Sequence, residues 1–408
     1  MTNPITLASG VHLHIIPTDK FTTNILCILI RHPLKLEEVT STALLPPLLA
    51  RGSQKYPTVR DIRLAEEAMQ GSVFDAQIIK KGEQQIMQFF LEYVDGDIHF
   101  KNQGIDFLHE IINRPLTGCP YIKGEAENLK NRIKGRINNK SEYAKLKCFE
   151  AMCSNEPFGI YGDGYAEDLD AITPDGLLEH YNDLLMTAPI DFIALGKWDA
   201  KWLEDEIQRK FGPFSGKRED IPAPSLFPAR PERQIINLDY GTTQGNLCIG
   251  LRGQISPLGM DFIHFQLANE ILGSGPNAKL FANVREKESL CYAIFSTIFR
   301  FKSLMCILAG TEPNKMGHVL ELAEREVEAI KRGNISKDDM HSAKKSLCKR
   351  WRAMQDNAGA CVDFYASQYL LGDRRTVDEL LVQVESATAE GVAQAMSGLG
   401  IDTVVMMS

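Results

Sequence analysis

Arg285 and Tyr292 close the run Val284-Arg-Glu-Lys-Glu-Ser-Leu-Cys-Tyr292. A guanidinium and a phenol both offer hydrogen bonds suited to a peptide carbonyl. The plainer alternative is an Arg285 paired with a neighbouring acid and a Tyr292 in the core. Two other segments approach metal-binding motifs and miss. Gly176-Leu-Leu-Glu179-His180 has glycine at the first ligand position of H-x-x-E-H. It reads more simply as a helix after the turn Ile-Thr-Pro-Asp. His109-Glu110-Ile-Ile-Asn113 lacks the last histidine of H-E-x-x-H. His12 and His14 share one face of a strand, which is half a metal site at most, and exposed strand residues are the simpler reading. Gly273-Ser-Gly275 lacks the G-x-x-x-x-G-K-[ST] phosphate arrangement and follows a helix-like segment, so it reads as a helix C-cap.

Lys123, Lys130, Arg132, Lys134, Arg136 and Lys140 begin a basic stretch that Lys145 and Lys147 continue, with only Glu125, Glu127 and Glu142 offsetting it. Such a stretch is ordinarily a solvated helix face; lining a substrate chamber, it would attract acidic peptides. The whole chain is acidic, with a formal net charge of -8, which argues against general nucleic-acid binding. Its 408 residues exceed one ordinary core, and 44% hydrophobic with 24% charged residues is a globular balance. No uninterrupted apolar run of about 18 residues exists, so no membrane span is expected. The N-terminus has no basic region followed by an apolar core, so no signal peptide is expected. The nine cysteines include no C-x-x-C pair, and free thiols in a reducing cytoplasm are the simplest reading.

These residues must be positioned by two similar runs of elements. In the first, strands are expected at 10–17, 24–30, 72–79, 86–93 and 190–195, with helices over 58–70, 105–113, 121–138 and 174–185. The segment 212–233 has five prolines and the composition of an exposed linker. The second run repeats the order. Strands are expected at 246–251, 292–299, 304–309 and 403–407, with helices over 260–272, 279–284, 314–332, 336–356 and 359–371. Segregated strand-rich and helix-rich runs indicate α+β sandwiches. The expected domains are 1–211, a linker at 212–233, and 234–408.

The motifs give these halves a relative. Leu272-Gly-Ser-Gly-Pro-Asn-Ala-Lys-Leu-Phe-Ala-Asn-Val-Arg-Glu-Lys-Glu-Ser-Leu-Cys-Tyr292 is similar to L-G-x-G-x-x-S-x-L-F-x-x-V-R-E-K-x-G-L-x-Y of the insulinase/pitrilysin-type, or inverted-zincin, peptidases. Asp199 after Ala194-Leu-Gly-Lys-Trp198, and Glu156-Pro-Phe-Gly159 followed by Gly164 and Ile172-Thr173, fall in that family's order. The resemblance spans essentially the whole chain. Thr42-Ala43-Leu44-Leu45-Pro46-Pro47-Leu48-Leu49-Ala50-Arg51-Gly52-Ser53 occupies the place of the family's A-H-F-L-E-H-M-L-F-K-G-T helix. The two zinc ligands and the general base of H-x-x-E-H are here Ala43, Pro46 and Pro47. The third ligand, a glutamate on a later helix, aligns with Arg132, with Glu125 and Glu127 one to two turns earlier. The spacing around 124–133 and 150–157 resembles most closely the bacterial members without zinc ligands.

The resemblance implies a mitochondrial-processing-peptidase-like (LuxS/MPP-like metallohydrolase) fold with two homologous α/β sandwich halves. It implies no catalytic residue and no metal cofactor on this chain alone. The implied partner is a zinc-bearing homologous subunit in a heterodimer whose chamber admits peptides, with no nucleic acid and no membrane. That partner's zinc would activate water, while Arg285 and Tyr292 here contact substrate and support the transition state. A peptide-binding or structural scaffold without a role in proteolysis is the alternative. A self-sufficient peptidase would need a constellation that the sequence does not offer.

Overall fold

The structure is a computed structural model and describes residues 3–116, 118 and 120–408. The chain opens with β1 (Ile5–Ala8), β2 (Val11–Pro17), β3 (Thr23–Pro33), α1 (Val39–Leu49) and α2 (Val59–Ala68). It continues through β4 (Val73–Lys81), β5 (Gln84–Val94), α3 (Ile98–Asn113), α4 (Ile122–Lys134) and α5 (Lys140–Met152). Next come α6 (Pro174–Thr187), β6 (Ile190–Gly196), α7 (Ala200–Phe211), β7 (Gln234–Leu238), β8 (Gly245–Gly253) and α8 (Gly259–Asn269). The chain ends with β9 (Cys291–Phe299), β10 (Leu304–Thr311), α9 (Met316–Lys331), α10 (Lys337–Met354), α11 (Ala358–Leu370), α12 (Val377–Ser386), α13 (Ala389–Ser397) and β11 (Leu399–Met407).

The strands form two sheets, ordered β1-β2-β6-β3-β5-β4 and β7-β11-β8-β10-β9. Apart from β1, the second repeats the first strand for strand. Even its one parallel pair, β7 with β11, matches β2 with β6. This is the duplicated α+β sandwich expected from the sequence. Two compact units result: residues 1–134, 160–222 and 357–367, and residues 135–159, 223–356 and 368–408.

Most strands expected from the sequence are present within a few residues. The polar helix expected over 121–138 is instead two helices. α4 ends at Lys134, Gly135–Asn138 tightens into a 3-10 turn, and the Asn139 side chain accepts the Glu142 amide at 3.2 Å to start α5. The helices α5, α7, α12 and α13 and the short strands β1 and β7 had no place in the sequence reading. His14 is also corrected. It is buried, and its Nε2 lies 2.7 Å from Asp191, whose other oxygen meets Arg31 Nε at 2.7 Å. Burying a carboxylate demands such partners.

In the first unit, one face of the sheet packs Leu26, Ile28 and Phe89 against α1, α3 and α6. Asn357–Ser367 belongs to the same unit, and Lys81 Nζ reaches it through Asp363 at 2.6 Å and Ser367 at 2.7 Å. In the second unit α5 lies against β8 and β11, with Cys148 Sγ 3.5 Å from the Thr403 carbonyl. A methyl group added at Gly250 would meet Met152 Cε at 2.1 Å and Cys148 Sγ at 2.7 Å, so only glycine lets the helix this close.

α5 is anchored by charge as well as packing. Arg252 on β8 donates to the Met152 carbonyl at 3.0 Å and pairs with Glu156. The other Glu156 oxygen binds Lys302 Nζ at 2.7 Å, and Lys302 is 1% exposed. Arg230 donates to the Ala151 carbonyl at 2.9 Å.

Two outcomes follow from these buried groups. Glu156→Gln leaves two cations around a neutral amide, and removing one partner of a buried pair costs about 3–5 kcal/mol. A denaturant titration should show that loss, whereas the exposed control Glu232→Gln stays within about 0.5 kcal/mol of the parent. Burial pushes His12, His32, His109, His180 and His264 below the ordinary histidine value of 6.5. Their folded form is neutral, so below that value the unfolded chain binds more protons. Stability present at pH 7 should fall as the pH drops through 6.5, read as a declining Tm. The buried His32, whose imidazole meets Glu38, and the half-buried His180, 2.8 Å from Thr42 Oγ1, lie side by side with ring centres 6.1 Å apart. Substituting both by glutamine should flatten the decline.

Candidate functional site

The segment without reactive side chains is α1, and it is a core helix. Nine of its eleven residues are buried, Ala43 completely. Pro46 and Pro47 lie inside it. Each removes an amide from the helix ladder, yet the helix continues, with the Ala50 amide 3.0 Å from the Pro46 carbonyl. Burial of the surrounding leucines compensates for the lost bonds.

Pro47 faces a cleft of about 260 Å³ with Ala50, Arg51, Arg63, Glu66 and Glu125, and β4 contributes Phe74–Ala76. The acids in it are occupied. Glu125 on α4 receives Arg51 Nε at 2.5 Å and Asn128 Nδ2 at 3.2 Å. Glu66 binds Arg63 at 2.7 Å and the Phe74 amide at 2.9 Å. Asp75 is exposed. Among the described residues, no group of three or more histidine, cysteine, aspartate or glutamate side chains is placed to hold a metal ion.

Arg132 does not line this cleft. It sits two turns beyond Glu125, about 10 Å along the axis, with its side chain 52% exposed and 3.4 Å from Asp163. The α4 side chain turned toward α1 is therefore Glu125, and the cation beside it is Arg51. Other members of the basic stretch also meet acids: Lys130 lies 3.6 Å from Asp170, Lys147 is 2.7 Å from Glu150, and Lys145 pairs with Glu142.

His180 lies on α6, capped by Thr173, so the Gly176–His180 segment is a helix as expected. The eight described cysteines are free and buried. Burial pushes the Cys27 thiol up to about 12, away from nucleophilic use.

Arg285 and Tyr292 belong to the second unit. Arg285 is exposed, on a π-helical segment Phe281–Lys287, and its guanidinium stacks 4.8 Å from the Phe281 ring centre. It has no carboxylate in salt-bridge range among the described residues. Tyr292 is the second residue of β9 and is 50% exposed, so it is not a core residue. Its ring lies over Gly310, where an added methyl would fall 2.5 Å from Cε2. Partial burial raises the phenol above its ordinary value, against a hydrogen bond from Gln244. Both side chains are open to solvent, and a guanidinium and a phenol each offer hydrogen bonds of the kind a carbonyl oxygen accepts. Tyr292 lies on β9, an edge strand of the second sheet, and Arg285 on the helical segment before it.

Comparison with known proteins agrees with this geometry. The family described as "Peptidase M16 inactive domain" matches residues 171–347. The Bacillus subtilis protein "Probable inactive metalloprotease YmfF" is 28% identical over 404 residues, covering 97% of this chain and 95% of that protein. "Uncharacterized zinc protease YmxG", also from Bacillus subtilis, is 21% identical over 297 residues, covering 71% of each. Among solved structures, a conserved protein from Enterococcus faecalis superposes with a TM-score of 0.91 at 25% identity, covering 100% of this chain and 98% of that one. A peptidase M16 inactive domain from Pseudomonas fluorescens shares the fold, with a TM-score of 0.84 at 16% identity, covering 99% and 97%. With the strand-for-strand duplication, the Val284–Tyr292 pattern and an α1 that carries Ala43, Pro46 and Pro47, the chain resembles the inactive homologues of the M16 peptidases.

Proposed function

We propose that this chain is the non-catalytic subunit of a heteromeric zinc peptidase, paired in the cytoplasm with a zinc-bearing homologue. The observation that carries this reading is an asymmetry. Ala43 and Pro46 on α1 are core residues and Pro47 is half-buried, while Arg285 and Tyr292 are exposed and, among the described residues, have no acidic partner. A chain that had lost all contact with substrate would have no evident use for that pair. The relatives support pairing, since one organism, Bacillus subtilis, has both a relative named as an inactive metalloprotease and one named as a zinc protease.

In this arrangement the partner's zinc activates the attacking water. Arg285 and Tyr292 hold the scissile peptide and stabilise the oxyanion by hydrogen bonding. Co-purification with a zinc-bearing homologue from the same cell, with cleavage of an unfolded peptide assayed for each chain and for the mixture, tests the pairing. Activity that rises on mixing is the expected result. A scaffold that binds peptide without processing it would leave the partner's turnover unchanged.

The chain alone should bind no stoichiometric zinc and cleave no peptide, as measured by elemental analysis and a peptide assay. One tightly held zinc per chain, with chelator-sensitive hydrolysis, would contradict this. Restoring A43H, P46E and P47H together should not rescue hydrolysis. Glu125 stays bound to Arg51, and an imidazole at the fully buried Ala43 overpacks the core by about 1–3 kcal/mol.

In the active mixture, Arg285→Ala or Tyr292→Phe should lower the rate without preventing assembly. Loss of one transition-state donor costs about 10²–10³ in rate, roughly 2.7–4 kcal/mol. The loss should fall on kcat if the contact forms in the transition state, and on KM if the pair only holds substrate. Unchanged kinetics in both variants, with assembly intact, would leave the scaffold reading.

A further inference from the structure

A second cavity, of about 280 Å³, lies in the first unit and shares no lining residue with the cleft beside α1. Its walls are apolar: Ile28 and Ile30 from β3, Ile190 and Phe192 from β6, and Phe211 and Phe214 from the end of α7 onward. The rings of Phe211 and Phe214 stand 5.2 and 6.1 Å from that of Phe192. Asn113, Asn182 and Ser215 add uncharged polar groups, and no acidic side chain lines the cavity.

One cation does. Arg218 is 9% exposed and lines the cavity. Its Nη1 donates to the Leu185 carbonyl at 2.6 Å and the Ala188 carbonyl at 2.8 Å, which closes the C-terminal end of α6. Its Nε is buried without a hydrogen-bond partner among the described residues. Burial is the one influence on its charge, with no carboxylate offsetting it, and it lowers the guanidinium from its ordinary value. A helix C-terminus supplies the equivalent of only about half a negative charge, so a net positive charge stays buried against hydrocarbon. A buried charge ordinarily has a paired counter-charge.

The backbone is shaped to hold Arg218 there. Gly10 has a φ of +72°, and a methyl group on it would come 2.5 Å from Arg218 Cβ. Gly216 has a φ of +95°, and a methyl group there would come 2.5 Å from the Met186 carbonyl oxygen. The Glu219 amide then bonds the Thr187 carbonyl at 2.7 Å. Two positions that favour glycine thus bring one irregular segment down onto the end of α6 with its guanidinium inside.

We propose that this cavity binds a small amphipathic monocarboxylate of the acyl-chain type, its carboxylate on Arg218 and its hydrocarbon chain among the phenylalanines and isoleucines. The chemistry selects this class. A single cation suits one anionic group and not a polyphosphate. The lack of acids disfavours amines, amino acids and metal ions. The apolar walls favour a hydrocarbon body, and a charge-assisted bond to a carboxylate is among the strongest that arginine makes.

Decanoate titrated calorimetrically into the full chain is the test, with decylamine and 1-decanol as cationic and neutral probes of the same length. Decanoate should bind saturably with one site, at least tenfold more tightly than 1-decanol, and decylamine should not bind. Arg218→Gln should weaken decanoate at least tenfold and abolish its preference over 1-decanol, while Arg218→Lys keeps the preference. Because Arg218 also closes α6, Met186→Trp provides a second variant: it fills the rim, leaves the guanidinium in place, and should also weaken decanoate. No saturable binding up to millimolar decanoate would overturn the proposal. So would equal binding of the three probes, or decanoate affinity unchanged in Met186→Trp or in folded Arg218→Gln.

Discussion

The carboxylate of Glu156, buried between Arg252 and Lys302, is the interaction on which the architecture of the second unit depends. Three charges removed from water are stable only when each has a partner. Here the partners come from a loop, a strand and a turn distant in sequence. Together with the bonds from Arg252 and Arg230 to the carbonyls at the end of α5, they fix 135–159 into a unit otherwise built from the second half of the chain. In the first unit Lys81 reaches Asp363, on a segment from late in the chain, through a more exposed pair. As a result, the central strands are covered on both faces. β8 and β10 are buried at every residue. Antiparallel sheets commonly leave one face to water; these do not.

Burial also limits which side chains α1 can hold at its interior positions. On a helix already packed on most sides, a histidine or glutamate is tolerated only while a metal ion satisfies it. Once the metal is not needed, small or apolar residues relieve the cost of burying a polar group. Ala43 and Pro46 are now ordinary interior residues. The acids around the cleft have been taken up by Arg51 and Arg63. Arg285 and Tyr292 lie on a different unit and experience none of this pressure.

The fold was largely legible in the sequence because β3, β8 and β10 hold continuous apolar runs, and because the Leu272–Tyr292 pattern places the second half. α5 was hidden. Its apolar residues Ala144, Cys148, Phe149 and Met152 have helical spacing, but they lie among lysines that dominate the reading. The His14–Asp191 pair links residues 177 apart, a relation that no local pattern reveals. Glu125 and Arg132 are two turns apart on the same helix, so periodicity gives them similar faces. Only the length of α1 decides which one meets it. Arg218 was equally invisible, since it lies in a proline-rich segment that reads as a linker.

The exchange of helices also bears on how such a chain can change over generations. Each duplicated half encodes a helix that completes the sheet of the other unit. A chain cut at the 212–233 connection would give two fragments, each lacking the helix that the other half supplies to its unit. An α1 without zinc-binding residues therefore still leaves the first half a structural task, that of supplying α5 to the second unit.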